Sequence, residues 1–135
     1  MARAPKPASQ RIPKPTDAEL TLLHVLWGRG PSTVREVLDA LGDEKQVGYT
    51  TVLKTLQIMA DKGLVLRDTT ERSHVYRARL PQAATQRQLL EDLLERAFDG
   101  SASQLVMRAL AGRRSSEAEL AEIRDFLERL EGETP

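Results

Sequence analysis

The stretch VGYTTVLKTLQIMADKG, residues 47–63, decides the fold. Stepping about 100° per residue from Tyr49, Val52, Leu53, Leu56, Met59 and Ala60 gather with Tyr49 on one side of a helix. Thr50, Thr51, Lys54, Asp61 and Lys62 fall on the other, and Gly63 stops the helix. A solvated polar face over an apolar stripe is the ordinary reading of such a helix, so the flanking sequence has to say more.

Upstream, PTDAELTLLHVLW predicts a first helix. Thr16 and Glu19 form a capping box, and Leu20, Leu23, Leu26 and Trp27 follow at helical spacing. GRGP, residues 28–31, breaks the chain. A second capping box, Thr33 with Glu36, opens TVREVLDALG, in which Val34, Val37, Leu38 and Leu41 make a stripe and Gly42 closes the helix. Downstream, LVLRDTTERSHVYRARL, residues 64–80, reads as a β-hairpin of two Val-, Leu- and Tyr-rich arms joined by a polar turn. His74, Tyr76, Ala78 and Leu80 share one face of its second arm; Val75, Arg77 and Arg79 share the other.

The ends of the chain differ from this middle. Residues 1–15 hold four prolines and four basic residues with no acid, the composition of a disordered basic arm. After Pro81 the pattern is helical throughout. Leucines at 89, 90, 93 and 94 lead to Phe98 and Gly100, a short helix follows in SASQLVMRALAG, and Leu120, Ile123, Leu127 and Leu130 alternate steps of three and four. The expected architecture is mainly α. An N-terminal winged helix-turn-helix of three helices and a two-stranded hairpin, residues 16–80, precedes a helical dimerisation lobe, residues 81–135.

Composition narrows the function. The 135 residues are 40% hydrophobic and 30% charged and contain no cysteine, which removes disulfides and thiolate metal sites. No apolar run approaches the roughly 18 residues of a membrane span, and the start lacks the apolar core of a signal peptide. The expected location is the cytoplasm, without membrane insertion. The net charge of zero conceals an imbalance: residues 1–80 carry 13 Lys and Arg against 9 Asp and Glu, and residues 81–135 carry 7 against 11. A basic front half suits a polyanion and an acidic, leucine-rich back half suits a protein partner.

In a winged helix-turn-helix the third helix enters a DNA major groove. Thr50, Thr51 and Lys54 stand near its N-terminus, where side chains reach base edges: threonine offers a hydroxyl and a methyl, and lysine reaches guanine O6 and N7. Tyr49 has two readings, a hydroxyl on a phosphate or a ring closing the core edge. Arg72 at the hairpin turn, with Arg77 and Arg79 behind it, suits backbone contacts that position without reading sequence. Three amphipathic helices after residue 81 can hardly bury their leucines alone, whereas two interleaved copies can, which predicts a homodimer seamed by Leu90, Leu94, Leu120, Ile123, Leu127 and Leu130.

YTTVLKTLQIMADKGLV, preceded by LTLLHVLW and STVREVLDAL and followed by HVYRA, resembles the penicillinase and methicillin-resistance repressors of bacteria, the BlaI/MecI type, from about Thr16 to Leu130. The resemblance implies a homodimer on a two-fold symmetric operator, repressing β-lactamase or related resistance genes until a membrane sensor with a metalloprotease domain triggers cleavage. It puts the scissile site in the short middle helix of the dimerisation lobe. The Asn-Phe bond of the staphylococcal members falls opposite Arg108 and Ala109, a departure from the family pattern. Copper-responsive relatives carry C-terminal cysteines that this chain lacks, so no metal or other cofactor is expected.

Other classes fit less well. His24 and His74 belong to no nucleophile or zinc motif, and Glu91, Asp92 and Glu95 lie between leucines as a solvated face, so an enzyme is not expected. A winged helix used only for protein contacts would find its anchor in Ile58, which projects into the polar face. A ligand-gated repressor would need a pocket between lobes that no convergent polar set marks.

Overall fold

The computed structural model describes residues 12–42, 46–112 and 114–133. Helix α1 spans Asp17–Arg29, strand β1 Ser32–Thr33, helix α2 Val34–Leu41 and helix α3 Tyr49–Lys62. Strands β2 (Val65–Asp68) and β3 (Val75–Ala78) follow, then helices α4 (Gln82–Ala97), α5 (Ala102–Ala111) and α6 (Glu117–Glu133). The chain divides into two compact units, residues 1–89 and 90–135.

Local signals fix the first unit's helix ends. Thr16 and Thr33 each accept from the backbone N–H three residues on, while Glu19 and Glu36 accept from the N-cap N–H, so both capping boxes close. At the end of α3, Gly63 takes φ +87°, its N–H bonds to Ala60 O, and the N–H of Leu64 bonds to Met59 O. That is a Schellman turn, with Met59 and Leu64 both buried across it, and it aims the chain directly into β2.

The winged helix is present with one strand more than the sequence showed. β2 and β3 form the antiparallel hairpin, and β1 adds to the far side of β3 in the order β1-β3-β2, pairing Ser32 with Tyr76 and Thr33 with Val75. The core lies between the sheet and the three helices. Leu22, Leu23 and Leu26 of α1, Val34 and Val37 of α2, and Val52, Leu56 and Met59 of α3 meet Val65 and Tyr76 of the sheet there. Trp27 seals the edge, its indole N–H donating to Leu80 O at 3.0 Å.

Two boundaries differ from expectation. Residues 1–11 of the expected arm lie outside the described residues, but Ile12 is not part of any arm: it is buried in the core, and the Gln88 side-chain amide donates to its carbonyl at 2.7 Å. The same bond, with buried Thr85, ties the start of α4 to the first unit, so the division falls after Leu89 rather than at Pro81.

The second unit has no interior of its own. No residue of α5 or α6 is buried, and Leu90, Leu93, Val106, Phe126, Leu127 and Leu130 are each between 44% and 52% exposed. Leu94, Leu120 and Ile123 are half-buried. No helix among the described residues is long and apolar enough to cross a membrane.

Candidate nucleic-acid interface

Burying Val52, Leu56 and Met59 fixes the rotation of α3 and therefore which residues face out. Thr50, Lys54, Gln57, Ile58 and Asp61 are exposed on the far side. Gln57 was absent from the sequence reading although it lies one turn beyond Lys54 on the same polar face; its amide suits an adenine edge. Thr51 is exposed but turned toward α1: with Thr55 it borders an apolar groove beside Ala18, Leu22 and Leu41, and its carbonyl accepts the Thr55 hydroxyl at 2.8 Å. The outermost line of the helix is thus Thr50, Lys54, Gln57 and, at its C-terminal end, Asp61.

Lys62 does not belong to that line. Its ammonium lies 2.8 Å from Glu19 Oε2, a carboxylate whose side chain is 4% exposed, and so pins the end of α3 to the start of α1. Burial alone would raise the Glu19 pKa, but the hydrogen bonds from Lys62 and Thr16 and the Lys62 charge outweigh it and hold the carboxyl below its ordinary value.

The other basic candidates separate. Arg72 stands at the hairpin turn and lines a hollow of about 200 Å³ with Arg35, Tyr49, His74 and Tyr76, between the N-terminal ends of α2 and α3 and the wing. Tyr49 is 43% exposed, and the Arg35 guanidinium lies 5.2 Å from its ring centroid. The exposed ring therefore restrains a cation beside the start of α3. Arg35 was not singled out in the sequence, where it is one basic residue on a short amphipathic helix. Arg77 lies elsewhere, on the opposite face of β3, where Leu66 and Asp68 of β2 lie alongside it. Hydrogen bonds from the Thr70 N–H and hydroxyl, helped by the Arg77 charge, lower the Asp68 pKa.

The arrangement presents hydrogen-bonding side chains on a rigid helix, with cations at its N-terminal end and on the wing. Among the described residues, no three of His, Cys, Asp and Glu gather as metal ligands.

The model of the penicillinase repressor family matches residues 15–129. The transcriptional regulator BlaI of Mycobacterium tuberculosis, from strains CDC 1551 / Oshkosh and ATCC 25618 / H37Rv, is 35% identical over 92 residues, covering 67% of this chain and 67% of the relative. The solution structure of apo-NmtR matches with a TM-score of 0.44 and 28% identity over 69% of this chain and 77% of that one.

Proposed function

The chain belongs to the penicillinase repressor family, and from that premise we propose that it represses transcription as a homodimer on a two-fold symmetric DNA operator. The observation that carries the reading is the outward row Thr50, Lys54 and Gln57 on a helix held rigid by its buried side, with Arg35 and Arg72 beside its N-terminal end. The row reads bases and the arginines hold the backbone.

The dimer follows from the second unit. α5 and α6 hold no fully buried residue within one chain, and leucines about half exposed on successive helices leave apolar surface in water unless a second copy covers them. Leu90, Leu94, Leu120, Ile123, Leu127 and Leu130 are the seam. Two copies of α3 then address half-sites about one helical turn, roughly 34 Å, apart.

Relief by proteolysis fits the same unit. Arg108 and Ala109 are exposed on α5, and a helix with no buried residue unwinds locally at small cost, as a protease needs. A membrane sensor metalloprotease is the proposed regulator; cutting α5 would split the seam and remove the second half-site's contribution.

Selection of duplexes from a random pool by the full chain tests the proposal. Enrichment of a palindrome supports it; a folded chain that enriches no sequence overturns it.

A further inference from the structure

We infer that the hollow between α2, α3 and the wing is the seat of a single phosphate of the DNA backbone, gripped from two sides by Arg35 and Arg72. The inference rests on the DNA-binding reading above. Three observations converge on it. Gly48 caps α3 without a side chain, so among the described residues the N–H groups of its first turn have no side-chain acceptor and remain donors for an anion. Tyr76, wholly buried, lines the same hollow, and its hydroxyl has no hydrogen-bond partner among the described residues. Arg35 lies over the Tyr49 ring, which restrains the guanidinium while leaving its N–H edge able to make the paired hydrogen bonds that suit phosphate oxygens.

The neighbouring groove along α1 shows the contrast. Among the described residues it is lined by Ala18, Leu22, Leu41, Val47, Val52 and threonines, with no charged side chain. The phosphate seat instead joins the helix that reads bases to the wing. One backbone phosphate held there fixes the depth and angle at which Thr50 and Lys54 meet the groove.

The test uses the full chain and the duplex recovered by selection. Arg35→Ala and Arg72→Ala should each weaken binding roughly tenfold, on random as well as selected duplex, and flatten the salt dependence by about one unit of slope. Both side chains are exposed, so the fold should survive, and circular dichroism checks it. A scan of single neutral methylphosphonates along the duplex then locates the contact. One position at which both substitutions cease to matter supports the seat. Two different positions, or an Arg35→Ala chain that binds like the parent, overturn it while leaving DNA binding intact. If the parent binds no duplex, the reading beneath the proposal has failed, and inorganic phosphate becomes the probe. Shifts of the Tyr49 and His74 ring signals that vanish in Arg35→Ala would then keep the seat for a free phosphate, and no shift would overturn it altogether.

Discussion

Replacing Glu19 by Gln tests the link that sets the recognition helix against the rest of its unit. The parent carboxylate uses one oxygen for the Thr16 N–H at 2.9 Å and the other for the Lys62 ammonium at 2.8 Å. Glutamine keeps the volume and one acceptor but turns an NH2 group toward the ammonium. The Lys62 side chain is 34% exposed and can swing into water, so no charge is left stranded. The loss is one partly buried charge-assisted hydrogen bond, about 2 kcal/mol. Urea unfolding followed by the fluorescence of Trp27, the single tryptophan, should show it. With a slope of roughly 1–3 kcal/mol per molar, the midpoint falls by about 1 M. The effect has a pH signature. Because the folded carboxyl titrates below its ordinary value of 4.5, its stabilisation is complete above that value and is lost as pH falls through the lowered one. Parent and variant should therefore differ fully at neutral pH and converge in acid. Equal midpoints at pH 7, or a gap that persists undiminished in strong acid, would refute the reasoning.

Three further substitutions probe the remaining parts. Lys54→Ala should cost roughly 1–3 kcal/mol on the selected site and little on random duplex; equal loss on both would make Lys54 a phosphate contact. Leu127→Glu places a charge in the exposed apolar face of α6, and sedimentation should then show monomers; an intact dimer would move the seam elsewhere. Gly63→Ala forces a Cβ into φ +87° and should cost about 1 kcal/mol of stability, read as a lower urea midpoint. An unchanged midpoint would mean that the turn does not depend on the left-handed geometry.

Local patterns carried most of the first unit. Thr16 with Glu19 and Thr33 with Glu36 announce their helices because both partners of each capping box lie within four residues. What the sequence concealed depends on distant pairing. β1 has only two residues, too few for any periodicity, and exists because Tyr76 and Val75 lie alongside it. Glu19 is legible as a cap, but its second partner, Lys62, stands 43 residues away and in sequence is only one more residue of the polar side of α3. Ile12 follows a proline-rich basic run, and nothing local announces that the core receives it. The same limit applied at the interface. The wheel picked out Thr50 and Lys54 correctly as exposed, whereas Arg35 and Arg72 share a hollow only because α2 and the wing turn packs against the start of α3.

The central claim, two chains reading two half-sites together, is met most directly by titrating the full chain against the selected duplex and against the same duplex with one half-site scrambled, with sedimentation giving the mass of each complex. The account predicts two chains per palindrome and a collapse of affinity on the single half-site. One chain per palindrome, or equal affinity for both duplexes, would contradict it.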